Sequence, residues 1–309
     1  MAAGESRSDA HRWPEDCPIC GRTGLAEALV LSDFSVASCR HCGHRLARHQ
    51  AVPQPADYHE QYDTGAFLES LRETRRRQAG LIVRAIRRQV PDAGGLLDFG
   101  AGRGWFLSEC RLQGINPLAG SDTSELSVSM LRAAGLEAHL IPADGPAVDL
   151  AALRPSFGPR IITLLDVAEH VEPAALVSWL RTLLAGCGDR LELVVVKVPI
   201  PGLLHVLARF LAALGVQGPI RQIYQAGTFP PHYHCFSSRS MEILLNSIGL
   251  ELLERIGDRD FEPEWLPERM GVTGGASRLF VRAGGRVLSA AIRMTGLFDT
   301  GIFLSRPRR

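Results

Sequence analysis

No stretch of this 309-residue chain approaches the ~20 consecutive apolar residues that a membrane span needs. The first residues, Met1 to Asp9, are too polar to hold the apolar core of a secretory signal. A cytoplasmic protein is therefore expected. Net charge is also scarce: 34 Lys and Arg against 33 Asp and Glu leave a formal +1. No global field draws such a chain to nucleic acid or to an anionic membrane, so its partners are chosen by local sites. The seven cysteines lack an even count. An odd total, with Cys110, Cys187 and Cys235 standing alone, suits a reducing compartment and gives those three the role of small buried hydrophobes.

The other four cysteines are spaced as a set. Cys17-Pro18-Ile19-Cys20 and Cys39-Arg40-His41-Cys42 form C-x2-C, eighteen residues, C-x2-C, the pattern of a four-thiolate zinc site. Gly21 and Gly43 follow the second cysteine of each pair and supply permissive backbone for the knuckle. Four thiolates close the coordination tetrahedron, so the predicted zinc is structural. His41 and His44 lie within and beside the second knuckle and offer substitute ligands. A segment of this size buries too little apolar surface to fold alone, so metal would supply much of its stability.

The most telling stretch is Leu96-Leu97-Asp98-Phe99-Gly100-Ala101-Gly102-Arg103-Gly104-Trp105, an apolar strand entering a glycine turn that opens a helix. Gly100, Gly102 and Gly104 leave a ligand room against the backbone. A dinucleotide fingerprint would need a glycine where Trp105 stands, and Asp98 would repel a pyrophosphate. That carboxylate instead suits a ligand carrying an ammonium and a sulfonium. About twenty residues on, Asp122 ends a second strand, where an acid can accept both hydrogens of a ribose diol.

Further strands are predicted at Glu137–Ile141, Arg160–Leu165, Leu191–Val198, Leu250–Glu254 and Gly301–Leu304, alternating with helices. Ser124 and either Ser237 or Ser238 are the predicted helix caps. The pattern implies an α/β fold: a Rossmann-like, doubly wound, mostly parallel seven-stranded sheet with right-handed crossovers and a ligand at its carboxyl edge. A leading helix is expected over Phe67 to Val90, with Leu68, Leu71, Ala79, Ile82, Ile86 and Val90 inward and its arginines on a solvated face.

D-x-G-x-G-x-G at Asp98 to Gly104 resembles the first motif of class I S-adenosylmethionine-dependent methyltransferases. With the cysteine knot, Tyr58-x-x-x-Tyr62, Asp166-x-x-Glu169-His170 and His232-x-His234-x-Phe236-Ser237, the chain resembles bacterial members carrying an N-terminal zinc ribbon. The resemblance implies S-adenosylmethionine as cofactor, with the Asp98 region at its methionine part, Asp122 at the ribose, Asp144 at the adenine and the Asp166 turn beneath the sulfonium. Ile141-Pro142-Ala143-Asp144 departs from the usual Gly-Asp pattern, which weakens the adenine assignment. Tyr58 and Tyr62 either pack the linker onto the core or cover the cofactor; Tyr62 is counted with the cofactor residues.

Methyl transfer to a hydroxyl needs a proton removed, and His170 has the chemistry of a base, with Glu169 placed to orient it. The alternative is that both brace the turn. Asp166, Glu169, His170 and His232 or His234 also make a possible divalent-metal set, similar to that of small-RNA 3′-terminal 2′-O-methyltransferases.

Three units are expected: a four-cysteine zinc ribbon over 1–50, a linker covering the site over 51–66, and a methyltransferase domain over 67–309 with a lid insertion at 199–231. The insertion carries Leu203, Leu207, Phe210, Leu211 and Leu214 at helical spacing. A small-molecule, sugar or glycan acceptor is expected, methylated on oxygen or carbon, with a lipid-linked substrate compatible with the insertion. Metal-assisted RNA 2′-O-methylation and a cofactor-binding module without activity are the alternatives. No nucleic-acid partner and a monomer or homodimer are expected.

Overall fold

The computed structural model describes residues 13–53, 65–141 and 156–308. Tyr58, Tyr62 and Asp144 lie outside the described residues.

The chain opens with three antiparallel strands, β1 (Leu25–Val30), β2 (Phe34–Cys39) and β3 (Arg45–His49). Helix α1 (Gly65–Gln89) leads into β4 (Leu96–Phe99), α2 (Trp105–Leu112), β5 (Leu118–Asp122), α3 (Glu125–Ala133) and β6 (Glu137–Leu140). Next come β7 (Ile161–Leu165), a single 3-10 turn at Ala168–His170, α4 (Leu176–Cys187) and β8 (Leu193–Pro199). The insertion holds α5 (Leu203–Ala213) and α6 (Gly218–Ile223), followed by the two-residue β9 (His234–Cys235) and α7 (Ser238–Ser247). The chain closes with β10 (Leu250–Asp258), α8 (Leu266–Arg269), α9 (Gly275–Thr295) and β11 (Thr300–Pro307).

Seven strands form one sheet in the order β10-β11-β8-β7-β4-β5-β6. The five from β8 to β6 are parallel, while β11 runs antiparallel to both β8 and β10. The expected Rossmann-like sheet is thus present, and the order reverses beside β4, where such sheets bind ligands. Alternation along β8 shows why both faces must be covered: Val194, Val196 and Val198 pack with Trp179 and Leu180 of α4, whereas Leu193 and Val195 pack with Ile82 and Ile86 of α1. Ser124 caps α3 and Ser237 caps α7, each accepting from the amide three residues on.

Helix α1 departs from its expected stripe. Ala79, Ile82, Ile86 and Val90 are buried as predicted, but Leu68 and Leu71 are half-buried while Ser70, Thr74 and Gln78 turn inward. Its first half faces polar groups rather than core, so a helical-wheel argument built on apolar residues selects the wrong side there.

The ribbon is joined to the main domain through shared structure. Strand β9, far along the chain, adds a fourth strand to the ribbon sheet by pairing Leu46 with His234 and Arg45 with Cys235. The expected lid insertion packs on the ribbon: Ala208, Ile220 and Tyr224 share one buried cluster with Phe34, Val36 and Ala47. Arg221 clamps Asp33 through two bonds of 2.6 and 2.5 Å. Helix α5 still leaves Val206, Leu207 and Phe210 exposed, as is Leu214 just after it.

Candidate active site

Two turns meet at the carboxyl edge of the sheet. The first follows β4. Gly100, Gly102 and Gly104 all adopt positive φ, of 76°, 52° and 72°. A Cβ on Gly100 would lie 2.5 Å from Cγ2 of Val167, and one on Gly104 2.6 Å from Cδ2 of Leu131. Conformation and space therefore both require glycine. Asp122 organises this turn: its Oδ2 accepts from the Gly102 amide at 2.7 Å and its Oδ1 from the Ser124 amide at 2.9 Å. Each oxygen keeps a second lone pair, which is what a ribose diol would use.

Asp98 is buried and accepts a 2.6 Å hydrogen bond from Oγ1 of Thr163 on the neighbouring strand β7. Burial, reinforced by the Asp122 charge, lifts its carboxyl to about 7 despite the Thr163 bond. Its visible role is beneath the glycine turn, tying β4 to β7.

The second turn follows β7. Asp166 holds a positive φ of 59°, uncommon for a side-chain-bearing residue. Its Oδ2 meets Lys197 Nζ at 2.5 Å and Arg75 Nη2 at 2.8 Å. Burial opposes its charge, but Arg75 and Lys197 outweigh that and hold the carboxyl below its ordinary range. Arg75 also binds Asp260 at 2.9 Å, and Asp260 binds Arg269 at 3.1 Å.

The sequence reading missed this network. Lys197 was the one available signal, a lone charge in the otherwise apolar strand Leu193–Pro199. Arg75 and Arg77, expected on a solvated face, turn to acids instead: Arg77 binds Asp258 at 2.7 Å and also contacts Glu262.

Glu169 is fully buried, and neither carboxylate oxygen has a hydrogen-bond partner. Burial, followed by the Asp166 charge, drives its carboxyl well above the ordinary range. His170 Nδ1 donates to the Pro231 carbonyl at 2.9 Å, which leaves the lone pair on Nε2. That carbonyl is therefore the group that orients His170, the part the sequence had given to Glu169. His232 is arranged alike, its Nδ1 donating to the Ile223 carbonyl at 2.7 Å, and its ring centroid is 4.8 Å from that of His170. Burial lowers both imidazoles, His232 to about 3.

His234 stands apart from this group. Its Nε2 donates to the Val171 carbonyl and its Nδ1 accepts from His44 Nε2, both at 3.0 Å. Asp166, held by its cations, is likewise outside the set: Glu169, His170 and His232 alone bring donor atoms within 4.8 Å of one another.

Cys17, Cys20, Cys39 and Cys42 also bring their sulfurs within 4.8 Å of one another. The pairs Cys17–Cys42 and Cys20–Cys39 are each 3.7 Å apart, and none of the four is in a disulfide. A zinc tetrahedron with bonds of about 2.3 Å requires sulfurs about 3.8 Å apart, so this set fits zinc. Gly21 and Gly43 take φ of 65° and 72°, and their amides bond back to Cys17 and Cys39, the knuckle geometry expected of each pair. His41 bonds the Thr23 carbonyl and His44 bonds His234, so neither joins the cysteines.

The family described as "Methyltransferase domain" matches residues 71–255. The chain belongs to this family and is an S-adenosylmethionine-dependent methyltransferase of class I. None of the curated proteins matches its sequence.

Among solved structures it is similar to magnesium protoporphyrin IX methyltransferase from Synechocystis with bound S-adenosylhomocysteine, at 13% identity and TM-score 0.47, over 83% of this chain and 90% of that one. It is also similar to the 1,6-didemethyltoxoflavin-N1-methyltransferase of Burkholderia thailandensis, at 14% identity and TM-score 0.45, over 92% and 99% of the two chains. A methyltransferase from Archaeoglobus fulgidus is 18% identical, with TM-score 0.40, over 74% and 94%. Among the described residues no helix is long and apolar enough to cross a membrane.

Proposed function

We propose that this methyltransferase acts on the hydroxyl of a small, sugar-like or glycan acceptor, that the four-cysteine knot holds one structural zinc, and that the glycine turn with Asp98 and Asp122 receives S-adenosylmethionine. The observation that carries the reading is the contact between the two turns. Val167 packs against Gly100, so the cofactor turn and the Glu169–His170 turn are neighbours, with the His170 Nε2 lone pair uncommitted. An acceptor hydroxyl donating to that lone pair would be held beside the transferable methyl, and positioning is most of what this displacement requires.

An acceptor smaller than RNA is favoured by the fate of the arginines on α1. Arg75, Arg77 and Arg88 are engaged by Asp166, Asp258, Glu262 and Glu254 rather than presented to a phosphate backbone. The test is turnover of a panel of hydroxylated small molecules and glycans with labelled cofactor, at rising salt. Salt-insensitive methylation of one of them is expected. Methylation confined to RNA, falling steeply with salt, overturns the acceptor reading.

A further inference from the structure

We infer that α5 and α9 lay their outward apolar faces on an anionic lipid bilayer, so that the protein docks on a membrane surface by the edge of the sheet that carries the candidate site.

Among the described residues, every exposed large apolar side chain except Val30, Leu112, Leu126 and Leu140 falls in two stretches, 206–216 and 270–297. Such a concentration is a contact surface, unlike the single apolar residues scattered over any soluble chain. On α9 only Gly285, Ser289 and Ile292 are buried, and a Cβ on Gly285 would lie 3.0 Å from Cδ2 of Leu266, so a thin line of small contacts seats the helix on α8. Phe280, Val287 and Met294 recur every second turn on the opposite side and face solvent. Helix α5 is built alike: His205 and Ala208 are buried, while Val206, Leu207 and Phe210 point out.

The two faces belong to one end of the molecule. The Leu203 amide donates to the Leu297 carbonyl at 3.0 Å and the Leu204 amide to Asp299 Oδ1 at 2.9 Å, which pins the start of α5 to the turn after α9. That turn enters β11 at Thr300, opposite Pro199, the last residue of β8. Both helices therefore hang from the carboxyl edge, the edge that holds the Gly100 and Glu169–His170 turns, and docking brings those turns to the lipid surface.

Charge selects lipid over other apolar partners. No acid occurs between Glu192 and Glu242, or between Glu268 and Asp299, so both stretches are basic in a chain that is close to neutral. Arg278 and Arg282 are tied to Glu268, and Arg286 to Glu264. Arg209, beside Phe210, and Arg293, beside Met294, are exposed and meet no carboxylate among the described residues. Cations bordering an apolar stripe suit anionic headgroups above an acyl layer. A second copy would offer those cations only more cations. Neither helix crosses the bilayer: α5 is about 16 Å long, and arginine recurs along α9.

The test is sedimentation of the full chain with vesicles, either of equal parts phosphatidylglycerol and phosphatidylcholine or of phosphatidylcholine alone, with light scattering on the vesicle-free protein. Saturable binding to the anionic vesicles is expected, weaker on the neutral ones and falling with salt. Phe280 and Met294 are 80% and 87% exposed, so Phe280→Gln and Met294→Gln should leave Tm and S-adenosylhomocysteine binding as in the parent. Phe280→Gln should weaken vesicle binding about tenfold. Arg209→Gln combined with Arg293→Gln should weaken it about tenfold on anionic vesicles and little on neutral ones. Absence of vesicle binding overturns the inference, as does binding that these variants leave unaltered. A dimer in solution that Phe280→Gln dissociates, formed by protein that ignores vesicles, also overturns it and gives the face to a second copy.

Discussion

His44 and His234, 190 residues apart in sequence, share a buried hydrogen bond of 3.0 Å. Since His44 lies two residues beyond Cys42 and His234 also holds the Val171 carbonyl, one relay links the second cysteine knuckle to the turn bearing Glu169 and His170. Three further contacts run in parallel. Ser237 donates to the Cys42 carbonyl at 2.6 Å, the Tyr233 amide to the Glu169 carbonyl at 2.8 Å, and His49 to the His232 carbonyl at 3.0 Å.

Loss of the proposed zinc should therefore be felt at the turn bearing Glu169 and His170. Cys39→Ser is expected to lower both the zinc content and the turnover of purified protein, with a drop in Tm. Metal analysis alongside calorimetry checks this. Unchanged turnover by protein that has lost its zinc would show the relay to be irrelevant to catalysis.

His44→Ala would leave the His234 Nδ1 lone pair buried and unmatched. An unsatisfied buried group costs about 1–3 kcal/mol, and the space left by the ring adds to that. Urea denaturation should show a destabilisation of about 2–4 kcal/mol. A change below about 0.5 kcal/mol, the size usual for surface substitutions, would mean the pair does not hold the two parts together.

Gly100→Ala tests the proposed placing of the cofactor at the glycine turn. The new methyl meets Val167, and left-handed backbone costs a side-chain-bearing residue about 1–2 kcal/mol. Affinity for S-adenosylhomocysteine should fall about tenfold or more by calorimetric titration. Adding Val167→Ala should recover the steric part of the loss and leave the conformational part.

Asp166→Ala would strand Lys197, whose side chain is 2% exposed, with its ion-pair partner gone. Removing one member of a buried pair costs about 3–5 kcal/mol, and the lower end is expected because Asp166 itself remains 25% exposed. Replacing both residues, with Lys197→Met and Asp166→Asn, should cost less than Asp166→Ala alone. A double variant less stable than that single one would refute the pairing argument.

Asp98 supplies a pH dependence of defined sign. Its folded-state carboxyl lies at about 7, above the unfolded value near 4, so between those values the folded chain holds a proton the unfolded chain has released. Its contribution is full below about pH 4 and is lost as pH rises through about 7, with a slope of up to about 1.4 kcal/mol per pH unit. Asp299, also raised to about 7 by burial, contributes in the same direction. Asp98→Asn should flatten the ligand-free stability profile between pH 5 and 7. An unchanged profile would show that Asp98 does not titrate there.

The parts of the fold that the sequence disclosed are those written in short-range pattern. Asp98 to Gly104 announces a strand, a turn and a helix because glycine and a strand-end acid are local requirements, and the same holds for the C-x2-C knuckles and the Ser124 cap. The Asp166, Lys197, Arg75 and Asp260 network was hidden because its members come from four separate segments. Arginine on α1 looks identical on paper whether it faces water or a buried acid. The insertion's docking on the ribbon was equally hidden, since periodicity in Leu203 to Leu214 identifies an apolar face without naming what meets it. His170 stands out by its own side chain, yet its orienting partner, a backbone carbonyl at Pro231, carries no side-chain signature at all.

Strand β9 also decides how the protein can be taken apart. Because the fourth ribbon strand belongs to the stretch that fixes His170 and carries His232, cutting the gene after residue 50 would strip one edge from β9 and remove the partner of His234. A chimera that exchanges ribbons between homologues would have to transplant residues 231–237 along with the cysteines, or else splice mismatched halves of a single sheet. The two segments are interlocked parts, inherited or engineered together.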